Sequence, residues 1–192
     1  MPEEIRLKAP LTKEQNEKLR TGDVVLLSGV LYTARDAAHA RIKEAIENGE
    51  DLPFDPEGQI VYFTGPAPAR PGHAIGPAGP TTASRMDPYS PLLIERGLKG
   101  MVGKGTRSQA VRDSMKEHGC VYFGAVEGTA ALLADRVKEA EVVAYEDLGA
   151  EAIRKLVVES FPVIVVNDLH GGDLYLEGRE RWRRRERKAA NP

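Results

Sequence analysis

Cysteine is almost missing from this sequence of 192 residues, which contains only Cys120. A single cysteine excludes an intrachain disulfide framework, and it excludes any metal centre that needs several thiolates from one chain. The 4 histidines offer no replacement, because their spacing with one another and with Cys120 does not match a zinc site. We therefore predict no metal site made by this chain alone, and a buried, small apolar role for Cys120.

Long apolar runs and a strong charge of one sign are also absent. No segment approaches the length of a membrane span, and the first residues lack the apolar stretch of a signal peptide. The formal net charge of −2 argues against a general nucleic-acid-binding protein, which carries a basic surface. With 41% hydrophobic residues, the chain can bury a core without disulfides or metals. These features predict one soluble domain, with the cytoplasm as its expected location.

What the sequence does contain is an alternation of strand-like and helix-like segments. Gly49, Gly97 and Gly119 follow three helical segments, at the place where a left-handed residue commonly ends a helix. Thr33 is a candidate cap for the first of these helices. Such alternation predicts an α/β fold with a largely parallel sheet or a layered arrangement. The predicted strands are 23–28, 60–64, 100–102, 121–126, 141–145 and 163–167, and the predicted helices are 34–48, 91–96, 108–118, 129–137 and 150–157.

A run rich in proline and glycine follows the second predicted strand and ends in Gly79-Pro80-Thr81-Thr82-Ala83-Ser84-Arg85-Met86-Asp87, called here the Gly79–Asp87 loop. Loops of this length in a compact domain are usually functional or disordered. Prolines fix φ and glycines permit positive φ, which favours an ordered path. Because hydroxyls, a guanidinium and a carboxylate are concentrated here, we predict a substrate-binding loop.

Cations lie at two predicted helix starts, where the positive end of the helix dipole disfavours them. Arg35 would be the second residue of one helix, and Lys104 and Arg107 lie at the start of another. A helix start with a guanidinium is suited to bind a carboxylate. The alternative is that Arg35 reaches water or pairs with Asp36 or a nearby glutamate. Gly103-Lys104-Gly105-Thr106 lacks the earlier glycine and the placed Ser/Thr of a nucleotide loop, so a small dianion is the better ligand.

Three motifs carry a family resemblance: Ala34-Arg35-Asp36-Ala37-Ala38-His39, the Gly79–Asp87 loop, and Gly103-Lys104-Gly105. In this order they resemble the beta subunit of iron–sulfur hydro-lyases of the class I fumarase type, and similarity continues at 121–125 and 143–149. The resemblance implies a swivelling β/β/α domain over residues 1–177. Residues 178–192 form a basic tail, whose composition favours a solvated extension over packing on an acidic partner surface.

The family's substrate-contacting positions match four residues of this sequence, Arg35, Thr81, Arg85 and Lys104. The resemblance implies that the arginines clamp carboxylates and that Lys104 supplies a compact charge. It also implies that Thr81 takes part in proton transfer with a carboxylate of the partner, since a free hydroxyl is a weak base. Thr81 and Lys104 are thus the implied catalytic residues, and Thr82 and Asp87 are expected to hold the loop in shape.

The resemblance further implies a [4Fe–4S] cluster held by a partner alpha subunit, in a hetero-oligomer such as (alpha-beta)2. The implied reaction is the reversible hydration of fumarate to L-malate, in which the cluster iron acts as a Lewis acid. Conversion of tartrate to oxaloacetate is the runner-up, because the related tartrate dehydratases share these motifs. Two other classes stay open: a self-contained module that binds small dicarboxylates, and a structural or regulatory partner. The intact set of cations and hydroxyls argues against the latter.

Overall fold

The chain folds as strands and helices around a mixed sheet, and the computed structural model describes residues 4–126 and 128–190, with side chains as far as residue 183. Strands β1 to β7 are Ile5–Lys8, Val24–Thr33, Ile60–Tyr62, Gly100–Gly103, Val121–Gly124, Val137–Ala144 and Ile153–Asn167. Helices α1 to α6 are Lys13–Asn16, Asp36–Asn48, Ser90–Ile94, Gln109–His118, Ala130–Ala134 and Leu174–Ala190. Short 3-10 helices span Ala83–Met86 and Glu146–Glu151. The predicted α/β class is confirmed.

The sheet contains 7 strands in the order β1-β2-β3-β4-β5-β7-β6, and β7 also pairs with β2. Strands β1 to β5 lie side by side in this order, and all of them are parallel to one another. Strand β7 is antiparallel to β2, β5 and β6. The extra pairing closes a hydrogen-bonded ring through β2, β3, β4, β5 and β7. The parallel strands of this ring therefore end on the same side.

Two apolar cores lie on opposite faces of the ring strands. Ile60 and Tyr62 of β3 join a core to which all the ring strands contribute, so this core fills the ring. Val61 and Phe63 join a second core together with residues of α2, α3 and α4. Strands buried on both faces need apolar residues at every position, which explains the continuous apolar runs in the sequence.

The glycine ends of α2 and α4 are predicted correctly, whereas α3 spans Ser90–Ile94 rather than 91–96 and its C-cap is Glu95 rather than Gly97. Gly49 and Gly119 end α2 and α4 with φ values of 71° and 74°, in the left-handed conformation that glycine adopts most easily. In the described part of the chain, none of the helices is both long and apolar enough to cross a membrane.

The predicted helix at 150–157 is wrong, because Ile153 begins the 15-residue strand β7. This segment pairs with β2 on one side and β6 on the other. The pairing buries Ile153, Leu156 and Val158 against the two cores. Packing against two neighbouring strands outweighs the local helix signal here.

Other element boundaries also differ from the prediction. Helix α5 spans Ala130–Ala134 rather than 129–137, because Val137 begins β6. Strand β1, Ile5–Lys8, has no counterpart in the predicted elements. Helix α6, Leu174–Ala190, runs through the predicted boundary between residues 177 and 178, and the division into a domain and a tail stays a prediction.

Candidate active site at the carboxyl edge of the sheet

The candidate site lies where the parallel strands β2, β3 and β4 end, which we call the carboxyl edge. In both open sheets and closed barrels of parallel strands, ligands bind at the carboxyl ends of the strands. Arg35 follows β2, and Lys104 immediately follows β4. Thr81 lies between them, because its N–H donates to the carbonyl of Phe63, next to the end of β3, over 2.7 Å. The fold thus brings three predicted site residues to one edge.

The Gly79–Asp87 loop attaches to the carboxyl edge through its main chain. The N–H of Lys104 donates to the Thr81 carbonyl over 3.2 Å, and the N–H of Ala83 donates to the Lys104 carbonyl over 2.8 Å. Thr82 and Lys104 form a parallel bridge. The two implied catalytic residues, Thr81 and Lys104, are therefore held side by side by bonds that do not involve either side chain.

Arg35 is the N-cap residue of α2, two positions before the place that the sequence predicts. Thr33 is not the cap, since it lies in β2 and its hydroxyl donates to the Ala152 carbonyl over 3.2 Å. Glu151 supplies an anion at the helix start: its carboxylate accepts the Ala37 N–H over 2.9 Å and lies 3.7 Å from Arg35 Nη2. Arg35 therefore has a glutamate beside it, and its role in binding a substrate carboxylate stays a prediction.

Arg85 reaches the same place from the 3-10 helix of the Gly79–Asp87 loop. Its Nε lies 2.9 Å from Oδ1 of Asp36, and Arg35 Nε lies 3.9 Å from Oδ2 of the same carboxylate. The Arg85 side chain is 50% exposed, whereas that of Arg35 is 24% exposed. Two guanidiniums from separate segments therefore share one carboxylate at the carboxyl edge.

Arg107, which the sequence groups with the ligand-binding cations, is instead buried beneath the Gly79–Asp87 loop. Its side chain is 0% exposed. Its Nε donates to Asp87 Oδ1 over 2.7 Å, and its Nη2 donates to Ser90 Oγ over 2.6 Å. The guanidinium carbon lies 5.3 Å from the ring centre of Phe63 and 5.2 Å from that of Tyr122. Asp87 thus holds the loop in shape, as predicted, and Arg107 is its anchor.

We expect Asp87→Ala to destabilise the fold strongly, because Arg107 would keep its charge in a buried place without its carboxylate. The N–H of Ser108, which donates to Asp87 Oδ2 over 2.7 Å, would also lose its acceptor. Removing one partner of a buried ion pair typically costs about 3–5 kcal/mol, measured as the free energy of unfolding in urea. Asp147→Ala is the control, since Asp147 pairs with Arg41 at the exposed surface. Equal losses in the two variants would contradict this role of Asp87.

His39 supports Arg35 from within α2, a role that the sequence analysis does not identify. It is 1% exposed, and its Nδ1 lies 2.9 Å from the Arg35 carbonyl. Burial lowers the pKa of His39 to about 4, so the ring is neutral at pH 7 and its Nδ1–H donates to the carbonyl. In the sequence, the signal for this contact is the four-residue spacing of Arg35 and His39, which places them about one helical turn apart.

A cavity of about 490 Å³ adjoins the carboxyl edge on the side of β5 and β7. Thr82 and Lys104 line it, and Thr82 rather than Thr81 faces this space. The hydroxyl of Tyr175 in α6 accepts the N–H of Gly105 over 3.1 Å, which fixes the residue after Lys104. No sequence signal pointed to Tyr175. The remaining lining residues are mostly apolar: Gly105, Gly124, Ala125, Val126, Ile164, Val166 and Leu174.

The residues of this chain do not fit a [4Fe–4S] cluster. Cys120 is buried, as predicted, and burial raises the pKa of its thiol to about 12. A cluster needs several thiolates, whereas this one cysteine stays protonated. Across residues 4–126 and 128–190, no group of three or more His, Cys, Asp or Glu side chains could hold a metal ion.

Comparison with known proteins agrees with the motifs. The family model described as Fumarase C-terminus matches residues 1–178. Fumarate hydratase 2 of Leishmania major is 43% identical over 175 residues, which cover 89% of this chain and 31% of that protein. The aerobic class I fumarate hydratase of Escherichia coli K12 is 44% identical over 151 residues, which cover 78% of this chain and 28% of that protein.

One further relative matches this chain over most of its own length. The putative L(+)-tartrate dehydratase subunit beta of Methanocaldococcus jannaschii is 39% identical over 173 residues, which cover 87% of this chain and 89% of that protein. The chain thus spans less than a third of the two fumarate hydratases but nearly the whole of this subunit. Because the family model covers almost its full length, the chain belongs to the Fumarase C-terminus family.

Proposed function

We propose that this chain is the beta subunit of an iron–sulfur-dependent hydro-lyase that reversibly hydrates fumarate to L-malate. The observation that carries the proposal is the convergence of Arg35, Thr81, Arg85 and Lys104 at the carboxyl edge. Relatives at about 40% identity are named fumarate hydratases and a tartrate dehydratase subunit. We assign residues 1–177 to a swivelling β/β/α domain in the cytoplasm, with 178–192 as a basic tail.

Each of the four residues has a distinct task. Arg35 and Arg85 offer planar pairs of N–H groups that match the two oxygens of a carboxylate. Lys104 adds a compact positive charge to a further oxygen. The Thr81 hydroxyl passes its own proton to a carboxylate of the partner subunit as it accepts the proton from the substrate carbon, and hydration runs the same transfers in reverse.

The cluster belongs to a partner alpha subunit in this proposal, because the ligands that it needs are not met by the described residues of this chain. The similarity to a protein named as a beta subunit supports a divided enzyme. The chain matches less than a third of the long fumarate hydratases, and it matches nearly all of a protein named as a beta subunit. An (alpha-beta)2 assembly would place one carboxyl edge opposite each cluster.

L-tartrate is the second candidate substrate, and the 39% identity to the Methanocaldococcus jannaschii subunit, which is named for tartrate dehydratase, favours it. Tartrate carries one more hydroxyl than malate and has the same two carboxylates, so the cations at the carboxyl edge would bind either. Steady-state kinetics of the assembled enzyme with L-malate, fumarate and L-tartrate decide between them. A kcat/KM that is higher for L-tartrate than for L-malate would replace the fumarate assignment.

A self-contained module for dicarboxylates is the alternative from another class. Asp36 and Glu151 already pair with the arginines, so the lone chain presents a partly neutralised site. Exposed charges in an open cleft are also screened by water and salt. Calorimetric titration of the lone chain with L-malate should give a Kd of about 1 mM or weaker. Micromolar binding would favour the module.

We expect Arg85→Lys to lower kcat/KM for malate dehydration roughly tenfold or more, although the charge is kept. Only the planar fork is lost, and one hydrogen bond to a charged group contributes about 1.5–3 kcal/mol. Arg70→Lys is the matched control, because Arg70 is exposed in the proline-rich run before the Gly79–Asp87 loop. A kcat/KM near the wild-type value in Arg85→Lys would remove Arg85 from direct contact with substrate.

A further inference from the structure

Asp36 occupies an unusual position between the two arginines of the candidate site. It is the first residue of α2, and its carboxylate lies 2.9 Å from Arg85 Nε and 3.9 Å from Arg35 Nε. In both cases the contact is made to the inner Nε of the guanidinium. For Arg85, this use of Nε leaves the two terminal nitrogens as the fork that can meet a substrate carboxylate.

The longer of these contacts joins two atoms that both lack a hydrogen bond. Arg35 Nε and Asp36 Oδ2 are buried without a hydrogen-bond partner among the described residues. Buried polar atoms of this kind are costly, so a small shift that closes the 3.9 Å gap would satisfy both. We expect a bound substrate to close this gap and bring Arg35 Nε within hydrogen-bond distance of Asp36 Oδ2.

The surroundings restrict where Arg35 can move. Glu151 lies 3.7 Å from its Nη2. Gly65 lies so close that a Cβ atom built on it would be 3.2 Å from Arg35 Nη1, so a side chain there would require the guanidinium to shift by a few tenths of an ångström. Each nitrogen of the Arg35 guanidinium therefore has a neighbouring group: Asp36 near Nε, Glu151 near Nη2 and Gly65 near Nη1.

We propose that Asp36 is a positioning residue that aligns Arg35 and Arg85 for a dicarboxylate. Its carboxylate lies 2.9 Å from Arg85 Nε and 3.9 Å from Arg35 Nε, so that one residue orients both guanidiniums for the carboxylates of the substrate. The inference rests on the proposed function, and it adds to that function the residue that sets the relative placement of the two arginines.

The sign of the change in KM separates positioning from simple electrostatics. Asp36→Asn removes a negative charge beside two cations, so charge alone would strengthen the binding of a dianion and lower KM. Asparagine has one acceptor oxygen in place of two, and it cannot hold both Nε groups. Loss of alignment therefore raises KM, against the electrostatic trend.

The experiment compares Asp36→Asn with Asp147→Asn in the enzyme assembled with its partner. Asp147 pairs with Arg41, another arginine of α2, and the substitution removes the same charge from an exposed pair away from the site. We expect KM for L-malate to rise about tenfold in Asp36→Asn, as for one lost charge-assisted contact, and to stay near wild type in Asp147→Asn. An unchanged or lower KM in Asp36→Asn would overturn the proposal.

A second readout does not depend on activity. In the full chain without its partner, the Nε–H signals of Arg35 and Arg85 in ¹⁵N nuclear magnetic resonance report their hydrogen bonds. Asp36→Asn should shift the Arg85 signal and speed its exchange with water, because Asp36 lies 2.9 Å from Arg85 Nε, and Asp147→Asn should leave that signal unchanged. An Arg85 signal that Asp36→Asn does not move would refute the role of Asp36. An inactive wild-type assembly would instead refute the proposed hydro-lyase function.

Discussion

Thr81→Val should lower kcat for malate dehydration roughly 100-fold or more while leaving KM within a few fold, which is the typical effect of removing a positioned acid or base. Valine has nearly the shape of threonine without the hydroxyl. The main chain of Thr81 makes the bonds to Phe63 and Lys104 that hold this segment, so the substitution leaves them in place. Steady-state kinetics of the assembled enzyme provide the measurement.

Thr82→Val is the matched control for this prediction. Thr82 is exposed, lines the cavity beside Lys104, and forms the bridge to Lys104 through its main chain. We expect its kcat to fall far less. Equal impairment of the two variants would show that the hydroxyls share a role in loop structure, and it would remove proton transfer from Thr81.

Much of the fold could be predicted from local signals. Glycines such as Gly49 and Gly119 mark helix ends because few other residues adopt positive φ there. The end of β7 is predicted, as the strand 163–167, but its beginning at Ile153 is not, because this part of the chain carries no local signal for the β2 and β6 strands that pair with it. Long-range pairing is a property of the whole sheet.

The candidate site shows the same division between local and long-range information. Motifs identify Arg35, Arg85 and Lys104, but not what each side chain contacts. In the sequence, Arg107 looks as suitable for binding a ligand as these residues do, but in the fold it is buried and paired with Asp87. Glu151 comes from a segment predicted as a helix, so its place at the start of α2 could not be foreseen. Cations that share one sequence pattern, a position near a helix start, can therefore be either candidate ligand-binding residues or members of buried structural ion pairs.

The largest expected effect is the complete dependence of activity on a partner. We expect the purified chain to be colourless, iron-free and inactive. Its only cysteine, Cys120, is buried, and the pKa of its thiol is raised to about 12, so it cannot supply the thiolates of a cluster. The cations at the carboxyl edge would face an open cleft, where a dicarboxylate binds weakly.

Coexpression with a cysteine-bearing partner chain, followed by anaerobic reconstitution with iron and sulfide, tests the divided active site most directly. Visible absorbance of the cluster and hydration of fumarate should both appear in the assembled enzyme, and neither should appear when the chain is treated alone in the same way. Stoichiometric iron on the isolated chain, or fumarate hydration without any partner, would contradict the assignment of this chain as a beta subunit.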